Sequence, residues 1–478
     1  MTKTEPRKKT KIVATISDRR CDVPFLTALH EAGMDVVRLN TAHQNPEAAL
    51  KVIQNVRAVS DRIAIMIDTK GPEVRTTAAA EAVSLAKGER IAFRGDPEKP
   101  TTGEGIYVTY RGFVAETPLK SRILIDDGEM ELVVIEKRGD ALICEAQNDG
   151  RIGGKKGVNV PKVDFSLPSL SAKDEVFIRF AAEQEVDFIA HSFVRNPGDL
   201  SAVQGILDEC GSPIKIIAKI ENQSGVDHID AILVNAYGVM VARGDLGIEI
   251  PYERIPGIQK MLINKCIARR KPVIIATQML HSMIQNPRPT RAEVSDVANA
   301  IYGKTDAVML SGETAGGLYP LEAVQTMARI AAEVEKSRSD IHDAPTVVLT
   351  NERSAFFCKT AVEAALELNA RAIIADSSSG NSIRNMAGFR GRKPVFAHCY
   401  DRRVVRRLAL SFGVFAEYIA KTANSQEFVH RALASHLEKG TLREDDLVVV
   451  MAGNFGESFG ASFIEISPVK LLLTENNG

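Results

Sequence analysis

Tryptophan is absent from the 478 residues and aromatic side chains make up only 5%, too few for the stacked ring platforms that bind single-stranded nucleic acid. The formal charge is −1, so no general field draws the chain toward nucleic acid or an anionic membrane. No stretch approaches the ~20 apolar residues that a membrane-spanning helix needs. The basic start from Arg7 to Lys11 lacks the apolar run of a signal peptide. Six cysteines, Cys21, Cys144, Cys210, Cys266, Cys358 and Cys399, are scattered without metal-type spacing. That usage points to reduced thiols and a cytoplasmic location.

What the chain does have is a 45% hydrophobic composition, enough for two to four domains with sizeable cores. Strand-like runs fall at Lys11 to Ile16, Asp35 to Asn40, Ile63 to Lys70, Val186 to Phe193, Lys215 to Asn222, Gly238 to Gly247, Pro272 to Leu280 and Asp306 to Thr314. Most are separated by helix-like segments such as Pro46 to Ser60, and Thr290 with Glu293 spells a capping box. Eight strand–helix units predict a TIM (β/α)8 barrel. Between Lys70 and Val186 the pattern changes to short alternating runs with Asp-Gly turns, as in RILIDDGEMELVVIE, which predicts an inserted small β-barrel lid domain. The predicted division is a barrel over 1–71 and 168–337, a lid over 72–167 and a C-terminal α/β domain over 338–478.

The stretch KIIAKIEN carries the chemistry. Lys219 and Glu221, two residues apart on a strand, project to the same face. Asp245 stands at the end of the next strand-like run, so two carboxylates converge with few other ligands in view, which suits a magnesium ion that keeps some of its waters. The competing reading is a buried ion pair that plugs a barrel.

The motifs KIVATI, VVRLN, IDTKGPEVRT, SFVR, AKIEN, VARGDLG, ATQML, NPRPTRAEVSDVANAI and DAVMLSGETA, taken in order, resemble pyruvate kinase across the whole chain. The resemblance implies transfer of the phosphoryl group of phosphoenolpyruvate to ADP, giving pyruvate and ATP in glycolysis through an enolate that magnesium stabilises. It implies Glu221 and Asp245 as Mg2+ (or Mn2+) ligands and Lys219 as the catalytic lysine. Gly244, Asp245 and Thr277 would hold the substrate carboxylate, and Arg38 and Arg75 the phosphates, Arg75 on the nucleotide side with Lys156, His43 and Asn40. Its K+ ligands match Asn40, Asp68 and Thr69, while the fourth, usually a serine, is Ala42 here. Water, a backbone carbonyl or a shifted Thr41 would then fill the shell. Glu73 accompanies K+ dependence in the family because its charge calls for a cation.

In the C-terminal part, DSSSGNS (Ser377, Ser378, Ser379, Gly380, Asn381, Ser382) resembles the family's effector loop, and its hydroxyls and helix start are suited to a phosphate. AGNFGESFGASF supplies neither the Trp nor the Arg found in members that respond to fructose 1,6-bisphosphate. A homotetramer is implied as well. The arginines of DRRVVRRLAL are either a solvated face or a contact with an anion or another subunit. Two other readings are a related magnesium-dependent enolate enzyme and a catalytically dead sugar-phosphate sensor.

Overall fold

The computed structural model describes residues 8–337, 352–453 and 461–474. Eight parallel strands, β1 (Lys11–Thr15), β2 (Val36–Asn40), β3 (Ala64–Asp68), β4 (Phe188–His191), β5 (Lys215–Ile220), β6 (Gly238–Ala242), β7 (Val273–Ala276) and β8 (Ala307–Leu310), close into a barrel in which every strand pairs with its neighbours in sequence. Strands buried on both faces must be apolar throughout, which is why these runs read as continuous rather than alternating. Val13, Phe188, Ile217, Met240, Ile274 and Met309 fill the interior. Ile216, Ala218, Ile220, Val239 and Val241 face the surrounding helices. The helices begin where the sequence says they should. Asn45 caps Pro46–Val59 by accepting from Ala48 N at 2.9 Å, and Thr290 and Glu293 form the expected capping box.

All eight strands are shorter than their runs in the sequence, and β6, β7 and β8 most of all. Beyond the barrel rim a strand has no neighbour to take its N–H and C=O groups, so the chain turns away. Leu246, Ile248 and Ile250 alternate as a strand would, yet Leu246 and Ile250 are also i, i+4 neighbours. The chain uses the second pattern: β6 stops at Ala242 and Arg243–Glu249 is a helix with Leu246 buried. Asp245 therefore sits in a helical first turn, not at a strand end. After β7 the backbone turns left-handed at Thr277 and Gln278, and after β8 it enters the short helix Gly312–Ala315.

Between β3 and β4 lies a six-stranded, mainly antiparallel sheet beside a two-stranded one, with an apolar core that includes Phe93, Phe113, Leu132 and Leu142. The C-terminal sheet has β9 (Ala372–Ser377), β10 (Val395–Cys399), β11 (Val414–Tyr418), β12 (Leu447–Gly453) and β13 (Ala461–Pro468), in the order β11-β10-β9-β12-β13. Among the described residues no helix is long and apolar enough to cross a membrane, and all six cysteines are free thiols.

The arginine stripe of Arg402–Arg407 divides, with Arg402 and Arg403 exposed and Arg406 and Arg407 turned toward the barrel. Arg406 Nε donates to Asp187 Oδ1 at 2.7 Å, Arg407 Nη2 donates to the carbonyl of Pro213 at 2.6 Å, and Arg402 pairs with Asp61. Arg390 grips Asp306 through both terminal nitrogens at 2.8 and 2.5 Å, with both side chains only 3% exposed. Leu410 joins the barrel's interior cluster, so the C-terminal domain plugs the barrel at the end where the strands begin. Arg390→Ala strands the Asp306 carboxylate in a buried site and is expected to cost about 3–5 kcal/mol. Arg402→Ala, at a half-exposed pair, should cost no more than about 1 kcal/mol. Thermal unfolding of the two variants checks this, and equal midpoints would refute it.

Candidate active site

The C-terminal ends of the barrel strands gather the charges. Lys219 leaves β5 into the mouth, with its ammonium 2.6 Å from Ser192 Oγ, 2.9 Å from Asp68 Oδ1 and 3.0 Å from Glu221 Oε1. Burial alone would strip its proton, but Asp68 and Glu221, with Asp245 beyond, together hold its pKa above the usual lysine value. Asp68 reaches a second cation, accepting from Arg38 Nε at 2.5 Å. Burial opposes its charge, yet Arg38 and Lys219 keep its pKa below the ordinary range. Arg38 spends Nη1 on Thr15 Oγ1 at 3.0 Å, and no described residue accepts from Nη2. Glu221 receives the backbone N–H of Phe193 at 2.6 Å. Burial raises its pKa, and Asp245 and Asp68 add to that against the pull of Lys219.

Thr277 is a β-branched residue at φ 67, where such side chains are rare. A strained backbone of this kind costs on the order of 1–3 kcal/mol and persists only where its surroundings dictate it. Here Arg243 Nη2 holds the Thr277 carbonyl at 2.8 Å while Nη1 holds Asp296 at 2.7 Å. The Thr277 hydroxyl donates to the Ala276 carbonyl at 2.6 Å and accepts from Gly244 N at 2.8 Å. The helix that starts at Arg243 takes no cap from its own N-cap residue, Ala242, and with Gly244 N on Thr277 the Asp245 amide is the first-turn donor left for an anion.

A cleft of about 560 Å³ separates the barrel mouth from the inserted sheet, lined by Arg75, Lys156 and Asp127 on one side and Asn222, Asp245 and Phe193 on the other. Arg75 is held by Glu73 at 2.6 Å and donates to the Lys155 carbonyl at 2.7 Å. Glu73 also pairs with Lys70 at 2.9 Å. Its carboxylate, half buried, is thus compensated from within the chain: Arg75 and Lys70 hold its pKa below the usual range against burial. Lys156 pairs with Asp126 at 2.5 Å. His43 is exposed in the turn after β2.

Of the oxygens expected around K+, Asn40 Oδ1 accepts from Ala42 N at 3.1 Å and the Thr69 carbonyl accepts from Ser192 Oγ at 2.7 Å. Thr41 is buried and its hydroxyl donates to the Asp68 carbonyl at 2.9 Å. In the C-terminal domain Ser377 is buried and accepts from Gly380 N at 2.8 Å, whereas Ser378 and Ser379 are exposed. Gly380 takes the left-handed φ of 80 just before the helix Asn381–Gly388. Most of the stretch AGNFGESFGASF lies outside the described residues.

Ser192, Thr15 and Arg243 escape a reading of the sequence. Ser192 lies inside SFVR, but a single hydroxyl carries no signal until β4 sets it beside Lys219.

A buried, protonated lysine shared by two carboxylates at the mouth of an eight-stranded barrel, with a second domain closing over a cleft, marks the class as a barrel enzyme that handles anionic, transferable groups. Residues 7–324 match the family description "Pyruvate kinase, barrel domain" and residues 356–467 match "Pyruvate kinase, alpha/beta domain". The chain is 46% identical over 469 residues to the pyruvate kinase of Borreliella burgdorferi, covering 97% of this chain and 98% of that one. It is 43% identical to the Bacillus licheniformis pyruvate kinase, covering 98% of this chain and 82% of that one. A solved pyruvate kinase from Cryptosporidium parvum superposes with a TM-score of 0.91 at 34% identity, covering 97% of this chain and 96% of that one. The chain belongs to the pyruvate kinase family, and its activity is that family's phosphotransferase reaction of glycolysis.

Proposed function

We propose that the chain moves the phosphoryl group of phosphoenolpyruvate onto ADP at the cluster formed by Lys219, Arg38, Asp68 and Glu221. The observation that carries this reading is the single protonated lysine held between Asp68 and Glu221 at 2.9 and 3.0 Å. Phosphoryl transfer asks mainly for positioning and for positive charge where negative charge moves. Asp68 and Thr15 fix the guanidinium plane of Arg38, which leaves Nη2 to bind the phosphoryl oxygens. A terminal ADP oxygen attacks phosphorus and the bond to the enol oxygen breaks. The electron pair stays on that oxygen as an enolate beside Lys219. The Gly244 amide and the Thr277 hydroxyl would exchange their present partners, Thr277 Oγ1 and the Ala276 carbonyl, for the substrate carboxylate, which the Asp245 amide also holds, and a proton reaching the methylene carbon completes pyruvate. Arg75 and Lys156 from the lid, with His43 and Asn40 from the barrel, hold the nucleotide.

Glu221 and Asp245 fit a hard divalent cation such as Mg2+. Both are oxygen donors, burial and like charge raise the pKa of Glu221, and Asp245 lines the open cleft. Such an ion supplies charge neutralisation across the phosphoryl oxygens. Asn40, Asp68 and the Thr69 carbonyl fit a weakly held K+, since each already has a donor from the chain. Residues 1–71 with 168–337 would form the catalytic unit, 72–167 the lid and 338–478 the effector unit, in a cytoplasmic enzyme. The test is pyruvate formation from phosphoenolpyruvate with ADP or magnesium withheld. Turnover should need both, and equal pyruvate release without ADP would sink the reading.

The loop from Ser377 to Ser382 is the proposed effector site. With Ser377 committed to Gly380, the exposed Ser378 and Ser379 and the helix start suit one phosphate rather than two. A monophosphorylated sugar or nucleotide is therefore expected to lower the half-saturating phosphoenolpyruvate concentration, and a response to fructose 1,6-bisphosphate alone would refute this. Light scattering on the same samples should give a homotetramer, and monomer at micromolar concentration would refute the assembly.

A further inference from the structure

His398 on β10, Glu417 on β11 and His436 in the last turn of the helix Ser425–Glu438 meet near the edge of the C-terminal sheet. His398 and Glu417 are direct register partners. Their ligand atoms and those of His436 all lie within 4.8 Å of one another. His398 and His436 are 2% and 4% exposed, and Phe396 and Phe428 pack against their rings.

We propose that His398, His436 and Glu417 form a site for one divalent transition-metal ion of the zinc class. The two Nε2 atoms are 3.3 Å apart. Two nitrogens bound to a tetrahedral zinc at ~2.0–2.1 Å are separated by about 3.4 Å, whereas an N–H hydrogen bond is usually shorter, ~2.9–3.0 Å. Glu417 divides its oxygens. Oε2 takes Lys439 at 2.5 Å, while Oε1 is buried with no hydrogen-bond donor, 3.8 Å from His436 Nε2 and 3.6 Å from His398 Nδ1. A buried carboxylate oxygen without a donor is costly unless a cation supplies what is missing. Glu417 Oε1 lies nearer His398 Nδ1 than the facing pair of Nε2 atoms requires, so closing the third ligand edge needs the carboxylate to turn toward that pair, within a cluster whose ligand atoms all lie within 4.8 Å of one another.

The surroundings suit a ligand set. His436 Nδ1 lies 2.8 Å from Thr441 Oγ1, an outer partner of the kind that orients a metal-binding imidazole. The bound ion would cross-link the edge strand to the helix that covers it.

The test uses the full chain, stripped with a chelator, then kept in saturating magnesium so that hard carboxylate sites are filled, and titrated with Co2+. One equivalent should give the intense visible absorption of four-coordinate cobalt, and one equivalent of Zn2+ should abolish it. Zn2+ should also raise the thermal midpoint. Glu417→Gln and His436→Gln should lose the band, and Thr441→Val should weaken binding by ~10–100-fold. If His436→Gln does not fold, the spectrum of the unmodified chain and Glu417→Gln decide. No visible band from the unmodified chain, or a band that survives Glu417→Gln, would overturn the site and leave Thr441, His436 and His398 as a hydrogen-bonded chain.

Discussion

Lys219→Met is expected to lower the rate of phosphoryl transfer by on the order of 10³-fold or more. Methionine keeps most of the bulk, so the cavity it leaves is small. What disappears is the charge that Asp68 and Glu221 share at 2.9 and 3.0 Å and that the proposed enolate needs. Removing one donor from a preorganised oxyanion site costs ~10²–10³ in rate, and here the lost donor also carries a full charge. Two carboxylates then face each other without it, and one of them takes up a proton. A folded variant, checked by circular dichroism, that kept near-normal turnover would reduce Lys219 to a structural plug.

Glu73→Lys is expected to make turnover largely indifferent to K+, where the parent chain should rise strongly with it. Glu73 is not a bare acid, because Lys70 and Arg75 compensate it. Arg75 is also proposed to hold the nucleotide phosphates, and a guanidinium shared with them compensates Glu73 less, so part of a negative charge is left beside reacting groups that are themselves negative. A monovalent cation offsets that charge, and an ammonium built into the chain should do the same permanently. With Ala42 offering no side-chain oxygen, a water is expected to complete the shell and K+ to saturate at high concentration. Full parental activity in a buffer free of sodium and potassium, with a large organic cation keeping ionic strength, would refute the argument. So would a variant as K+-dependent as its parent.

The barrel was legible because eight buried strands leave eight apolar runs, and Lys219 and Glu221 were legible because strand side chains repeat every second residue. Asp245 was found, but on the wrong element. GVMVARGDLGIEI fits a strand and a helix equally well until the rim of the barrel removes the strand's hydrogen-bond partners. The pairing of Glu73 was not legible, although Lys70, Glu73 and Arg75 stand within six residues, because a pairing in a loop depends on backbone turns that no periodicity reports. The docking role of Arg390 and Arg406 was hidden for a different reason. Their partners Asp306 and Asp187 lie 84 and 219 residues away, and a helical spacing of arginines looks the same whether it meets water or a buried carboxylate.

β4 is only four residues long, and both of its ends are gripped. Before its first residue, Asp187 is clamped by Arg406 of the C-terminal domain and by Arg57. After its last, Ser192 holds the Lys219 ammonium and the Thr69 carbonyl. The interval is about 16 Å of extended backbone, paired on both sides and unable to stretch. It is a stiff tie-rod through the wall of the barrel. The serine that positions the catalytic lysine and the arginine that docks the C-terminal domain thus grip opposite ends of one short strand.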